Sequence, residues 1–257
     1  MIKTDILIIG AGPTGLFTVF EAGLLKMKCH ILDSLSQPGG QLIELYPKKP
    51  IYDIPGFPEI IAGNLVESLL EQTKPFSPTY TLGETALNIK KLKDDSFVVS
   101  TDKGTKINAN IIAIAGGLGT FTPRKPNIPN ISDFEDMGVL YMIKNPENFA
   151  NKNVLIAGGG DSALDWSIFL SDIANKVTLV HRRNEFRGAD ESVAKVQELK
   201  NSGKIEVITP AEVITLHGNK SLNSADINMA GEVKNLKIDY FIPLFGLIPK
   251  LGPIKDW

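Results

Sequence analysis

Two glycine clusters, and the charged residues beyond each at a fixed distance, carry most of the chemistry this sequence offers. One is Gly10-Ala11-Gly12-Pro13-Thr14-Gly15; the other is Gly158-Gly159-Gly160-Asp161-Ser162-Ala163. Each ends an apolar run, Asp5 to Ile9 in the first case and Asn153 to Ala157 in the second, and each opens a stretch with helical spacing. Gly-x-Gly-x-x-Gly, or the same pattern ending in Ala, is a dinucleotide fingerprint in that context. Small residues there let the backbone approach a pyrophosphate at a helix N-terminus, where free N–H groups and the helix dipole favour an anion. A single match is weak, because glycines also close ordinary strand-to-helix turns. Two matches in one chain are stronger.

The strands beyond the two clusters end in opposite charges. Counting from the first glycine to the end of the next strand, Gly10 leads to Asp33 and Gly158 leads, over the same interval, to His181, with Arg182 and Arg183 next and Arg187 close behind. This position contacts the ribose. An acid there accepts hydrogen bonds from free 2′- and 3′-hydroxyls and repels a 2′-phosphate. Arginines do the reverse, gripping a phosphate through paired charged hydrogen bonds. The first half therefore reads as a site for an unphosphorylated adenosine, as in FAD or NAD, and the second as a site for NADP. The alternative for the three arginines is an ordinary solvated basic face.

The elements that must hold these residues fit one large or two medium domains in 257 residues. A net charge of −2 gives no sign of a nucleic-acid partner. No apolar run is long enough to cross a bilayer, and the N-terminus enters a strand with no leader pattern, so the expected location is the cytoplasm. The single cysteine, Cys29, excludes a disulfide framework and a Cys-x-x-Cys pair, and in a strand between Lys28 and His30 it reads as a small core residue. His30, His181 and His217 lack metal-ligand spacing, and neither a serine-nucleophile elbow nor a P-loop lysine occurs.

Along the chain, Pro38-Gly39-Gly40-Gln41-Leu42 suggests either a close approach of backbone to a ligand or another segment, or a tight turn. The proline- and aromatic-rich stretch Leu45 to Pro58 reads as an ordered loop, and Asn64 to Lys74 as a helix. Thr79 to Asn88, Ser96 to Thr101 and Lys106 to Asn108 alternate like antiparallel strands, and Asn110 to Ala115 is a further buried strand ending in glycines. Thr120 to Ile131, punctuated by proline, is a domain crossing. Beyond it the spacing gives helices over Ser162–Leu170 and Asp190–Lys200, strands near Ile205–Ile208 and Glu212–Leu216, and a hairpin around Gly231. A strand over Ile238–Gly246 then leads out.

With Gly-Ala-Gly-Pro-Thr-Gly, Pro-Gly-Gly-Gln-Leu, Ile-Ala-Gly-Gly-Gly-Asp-Ser-Ala and His-Arg-Arg-Asn-Glu-Phe-Arg in this order, nearly the whole chain resembles the thioredoxin reductase-like flavoproteins. The redox cysteine pair of thioredoxin reductases is missing from the corresponding stretch, Gly138 to Glu147, so direct thiol chemistry is excluded. Leu45-Tyr46-Pro47 and Ile51-Tyr52-Asp53 after the glycine pair are similar to the bacterial ferredoxin–NADP reductases of thioredoxin reductase type. The resemblance implies an α/β fold of two Rossmann-like three-layer (β/β/α) nucleotide-binding domains, with FAD over 1–119, NADP over 120–241 and a return segment over 242–257. It implies that Gly10, Gly12, Thr14 and Gly15 hold the FAD pyrophosphate, that Asp33 binds the ribose, and that Gln41 lines the site. Tyr46 would stack on the isoalloxazine, Ala86 would offer backbone contacts near the adenine, and Phe121 would lie beside the flavin. Gly158, Gly160, Asp161, Ser162 and Ala163 would cradle the NADP pyrophosphate, with Arg182, Arg183 and Arg187 on the 2′-phosphate. Family chains return with a Gly-Asp motif, a helix and a tail; this sequence ends at Trp257 ahead of them, which leaves the FAD domain incomplete at its C-terminus.

The expected function is therefore an FAD-dependent oxidoreductase moving electrons between NADP(H) and ferredoxin or flavodoxin, as a homodimer, with no side-chain acid or base required. Lys48, Lys49, Arg124 and Lys125 could steer an acidic carrier protein, or could simply be solvated. Two rivals stand beside it: an NADPH-dependent reductase of a quinone or other small acceptor, and a nucleotide-binding fragment without activity.

Overall fold

A computed structural model describes all 257 residues. The chain divides into two compact units, one formed by residues 1–122 and 249–257 and the other by residues 123–248.

The first unit begins with β1 (Ile2–Ile9), whose continuous apolar run is buried on both faces as a central parallel strand requires. Ile6 and Ile8 point into one core with Leu16, Val19, Ile31 and Val66. Leu7 and Ile9 point into another with Leu32, Val99 and Ile107. This alternation reflects the period of two along a strand. Helix α1 (Pro13–Leu24) starts on a proline, whose fixed φ suits the first helical position. Then come β2 (Cys29–Asp33), a short α2 (Gln41–Leu45), and β3 (Pro50–Ile51) paired antiparallel with β4 (Ile60–Ile61) inside the proline-rich loop. Helix α3 (Ala62–Thr73) is followed by β5 (Thr79–Leu82), β6 (Ala86–Lys91), β7 (Phe97–Thr101) and β8 (Lys106–Ile114). They form one six-stranded sheet in the order β5-β2-β1-β8-β7-β6.

Two expectations need correction here. The stretch Thr79–Asn88 is not one antiparallel strand. Gly83, at φ +70°, breaks it, β5 joins β2 in parallel, and only β6 runs antiparallel, against β7. The Gly83 N–H donates to Leu35 O and the Glu84 N–H to Asp33 O, which draws the break across the end of β2. Conversely, Lys106 to Ile114 is one strand rather than two: Lys106 to Ala109 pair with β7, and the register with β1 runs from Ile107 to Ile114.

The chain leaves the first unit through β9 (Thr120–Pro123). The second unit places β10 (Asn153–Ala157), α4 (Asp161–Leu170), β11 (Lys176–Val180), α5 (Asp190–Asn201) and β12 (Ile205–Ile208) in succession. An antiparallel layer comes next, β13 (Glu212–Gly218), β14 (Leu222–Met229) and β15 (Glu232–Lys237), and then β16 (Tyr240–Pro243). The parallel sheet has the order β12-β11-β10-β16. Leu155, Ala157, Val180 and Phe241 from its strands share a core with Leu216, Leu222, Ala225 and Ile227 from the antiparallel layer, which accounts for the β/β/α layering. β17 (Leu247–Lys250) leads back into the first unit, where residues 249–257 end in a short 3₁₀ turn.

Candidate nucleotide-binding sites

The turn after β1 has two crowded glycines and an open one. A Cβ on Gly10, at φ +110°, would lie 2.3 Å from the Ala115 carbonyl oxygen. On Gly15 it would lie 1.9 Å from Gly10 O, so the start of α1 rests directly on the turn. On Gly12 the nearest atom would be Gly40 Cα, at 4.0 Å. Packing at the ends and free backbone in the middle are the separate tasks of the fingerprint glycines.

Asp33 closes β2 with its carboxylate facing this turn: Oδ2 accepts the Ala11 N–H at 2.5 Å and Oδ1 the Leu35 N–H at 2.8 Å. The Gly39-Gly40 pair resolves as a close approach of two backbone segments. Gly39 N–H donates to Ala11 O at 2.8 Å, and a Cβ on Gly40 would stand 3.0 Å from Gly12 Cα. A cleft opens beside these groups. Gly10, Gly12, Asp33, Gly40, Gln41, Ala86 and Phe121 all line it, so residues far apart in sequence meet there. Gly116, Gly117 and the returning segment at Lys250, Leu251, Gly252 and Ile254 complete the lining. The sequence marks the glycines after β8 only as the end of a strand, and it signals no part in the cleft for them or for the returning segment. Thr14 and Gly15 sit on α1 outside the cleft lining. Tyr46 packs against the core beneath α1 and α3, with Lys49 Nζ 5.7 Å from its ring centroid, and burial together with nearby Asp53 raises its phenol pKa.

The second turn repeats the crowding with different atoms. A Cβ on Gly158 would lie 2.7 Å from both Ala163 Cβ and Leu244 O, whereas Gly160 has nothing within 4 Å. Gly160 O accepts the Ala163 and Leu164 N–H groups, and no backbone carbonyl takes those of Asp161 and Ser162 at the helix start. His181 does not occupy its position as Asp33 does. Its buried ring lies under Gly159, where a Cβ would come within 2.3–2.5 Å of three ring atoms, and it stacks on Phe186 at 5.5 Å. Its Nε2 has no hydrogen-bond partner. Burial, reinforced by the Arg187, Arg182 and Arg183 charges, depresses its pKa. The three arginines are exposed on the 182–187 loop, and this loop returns to the turn: Arg187 N–H donates to Gly159 O at 2.6 Å and Ala189 N–H to Asp161 Oδ1 at 2.7 Å.

Other candidates group less tightly. Lys125 is tied to Glu135 at 2.6 Å and lies over the Tyr141 ring, so its charge is compensated locally. Cys29 is buried, with its thiol pKa raised by burial and by Asp5. No helix is long and apolar enough to cross a membrane.

The family model described as pyridine nucleotide-disulphide oxidoreductase matches residues 4–254. Over all 257 residues the chain is 68% identical to a ferredoxin–NADP reductase of Flavobacterium johnsoniae, covering 73% of that protein. It is 47% identical over 259 residues to a ferredoxin–NADP reductase of Rickettsia bellii, covering all of this chain and 78% of that one. Among solved structures, the thioredoxin reductase of T. acidophilum superposes with a TM-score of 0.84 at 24% identity, covering 100% of this chain and 81% of the other, and so shares the fold. The chain belongs to the pyridine nucleotide-disulphide oxidoreductase family and, within it, to the group of the ferredoxin–NADP reductases.

Proposed function

We propose that this protein is an FAD-dependent ferredoxin–NADP reductase, exchanging electrons between NADP(H) and ferredoxin or flavodoxin in the cytoplasm, as a homodimer. One observation carries the reading: two turns with the same crowded-open-crowded geometry, one faced by a carboxylate and the other tied through Arg187 N–H to a loop that carries three exposed arginines. FAD fits the first. The open face of Gly12 admits a pyrophosphate, and the lone pairs that Asp33 retains beyond its two N–H bonds can accept ribose hydroxyls. Gly10 and Gly15 shape the turn there, Thr14 extends the helix start, Gln41, Ala86 and Phe121 border the cleft, and Tyr46 is assigned to the isoalloxazine.

In the second unit Gly158 and Ala163 set the turn. Gly160 leaves room for the NADP pyrophosphate, and the free backbone N–H groups of Asp161 and Ser162 face it at the positive end of α4. Arg182, Arg183 and Arg187 grip the 2′-phosphate. When bound, FAD supplies the exchange between a two-electron hydride and single electrons. The chain's own contribution is to bind, align and shield, and the site needs no proton donor of its own.

Replacing Arg182 and Arg183 together by alanine tests this. The KM for NADPH should rise about 100-fold, the loss expected from charged hydrogen bonds to a phosphate, and that for NADH less than about threefold. Equal losses with both coenzymes, measured by steady-state ferredoxin reduction, would remove the clamp and with it the assignment of NADP.

A further inference from the structure

Asp161 is the one acidic side chain at the start of α4, the helix end that would receive the NADP pyrophosphate. A carboxylate in contact with that anion would repel it. The structure shows where the carboxylate goes instead: Oδ1 accepts the Ala189 N–H at 2.7 Å, on the far side of the arginine loop. Two neighbouring contacts fasten the same stretch. Arg187 N–H donates to Gly159 O at 2.6 Å. Gly188 lies so close to α4 that a Cβ there would meet Leu164 Cδ1 at 2.5 Å and Asp161 Oδ1 at 3.1 Å. The near end of the loop is fixed separately, by His181 N–H to Ile208 O at 3.2 Å and Ala211 N–H to His181 O at 2.9 Å. Residues 182–186 span the two anchorages. Asp161 Oδ1 is thus bonded to the backbone of the arginine loop, and no ion pair joins this carboxylate to Arg182, Arg183 or Arg187.

We infer that the Asp161 carboxylate is a positioning group for the 2′-phosphate: it holds the arginine loop against the glycine turn and so sets the preference for a phosphorylated adenosine without itself touching the nucleotide, whose pyrophosphate meets only the backbone N–H of this residue. This rests on the reading of Arg182, Arg183 and Arg187 as the phosphate grip. Its physical basis is preorganisation. A loop fixed at both ends loses little freedom when it closes on a ligand, and a loop freed at one end must be ordered by the ligand itself. The loss then falls on the group the loop grips and spares the rest of the nucleotide.

Calorimetric titration with 2′,5′-ADP and with 5′-AMP, which differ only in the 2′-phosphate, measures this directly on the purified full chain and independently of flavin. Asp161→Ala should weaken 2′,5′-ADP about tenfold, the effect of one charge-assisted hydrogen bond, and 5′-AMP less than about twofold. Ala189→Pro removes the same bond from the donor side. The φ of −56° at Ala189 already suits proline, so this variant keeps the question answerable if Asp161→Ala does not fold. It should show the same selective loss, and the double variant should be no worse than either single one. Asp161→Asn, which keeps an acceptor oxygen, should restore most of the affinity. Equal weakening of both ligands, no change in either, or additive losses in the double variant would overturn the inference. If Arg182→Ala with Arg183→Ala keeps the preference for 2′,5′-ADP, the phosphate-grip reading is what fails. If that variant loses the preference while Asp161→Ala keeps it, only the positioning role fails.

Discussion

The turn at Gly10–Gly15 and the turn at Gly158–Ala163 are built alike and finished differently. In both, the first glycine is pressed against a neighbouring carbonyl, the middle one is open, and the last small residue packs the helix onto the turn. The difference lies at the end of the next strand. Asp33 bonds the first turn through its side chain, while the His181 ring slides beneath the second and passes the task of charge to the arginines after it. On the proposed reading, the glycine pattern decides that a pyrophosphate can approach, and the strand end decides which adenosine comes with it. Each can be changed without the other.

The largest effect should come from filling the crowded positions. Gly15→Ala places a methyl 1.9 Å from Gly10 O, a backbone collision that no rotamer relieves, and should cost about 3 kcal/mol or more in thermal or urea unfolding. Gly12→Ala meets nothing closer than 4.0 Å, and its φ of −72° suits any residue, so stability should change by less than about 1 kcal/mol. The methyl would nevertheless stand where the pyrophosphate approaches, and flavin content read by absorbance should fall at least about tenfold. Gly160→Ala should do the same to NADPH binding, with stability again little changed. Equal destabilisation by Gly12→Ala and Gly15→Ala would erase the distinction between open and crowded positions.

This distinction also marks how far the sequence could be read. The two parallel strands at the fingerprints were legible because a continuous apolar run ending in glycine has few other uses, and Asp33 was legible from its spacing alone. The direction of β5 was not, because alternation reports which face is buried and is silent on whether the neighbour runs parallel. Nor was the bond from Ala189 to Asp161, since a backbone N–H carries no side-chain signature and its partner lies in another element. The resemblance implied a return over 242–257, but that Leu251, Gly252 and Ile254 line the cleft of the first unit was hidden, as was the neutralisation of Lys125 by Glu135, which depends on a loop conformation rather than a pattern.

Each unit also buries one histidine beside its binding strands, and the two differ in how they are satisfied. His30 lies between the hydroxyls of Thr79 and Thr81, at 2.7 and 2.9 Å, and burial lowers its pKa; His181 has an unpartnered Nε2. The fold favours the neutral ring, and the unfolded chain takes up the proton more readily. The stability His30 contributes is therefore present above the unfolded pKa near 6.5 and is lost as pH falls below it, by up to about 1.4 kcal/mol per pH unit. In urea titrations between pH 7 and 5, His30→Gln should be less stable at pH 7 and should show a shallower decline towards pH 5. An unchanged slope would mean that His30 is not the group responsible.

The smallest effect concerns the carrier protein, and it separates the two basic pairs singled out in the sequence. Lys125 has its charge compensated by Glu135, so Lys125→Glu should change ferredoxin reduction little beyond the loss of that surface pair, worth about 0–1 kcal/mol in stability. Lys49 lies beside Tyr46, the ring assigned to the flavin, and Lys48 precedes it. If an acidic carrier is steered to this edge, Lys48→Glu with Lys49→Glu should slow ferredoxin reduction several-fold at low ionic strength. The difference should shrink as salt shortens the screening length to about 10 Å at 0.1 M. Because steering acts on encounter, the loss should appear in kcat/KM for ferredoxin, with NADPH-dependent flavin reduction unaltered. An equal loss for Lys125→Glu, or a loss that does not shrink with salt, would place the carrier elsewhere.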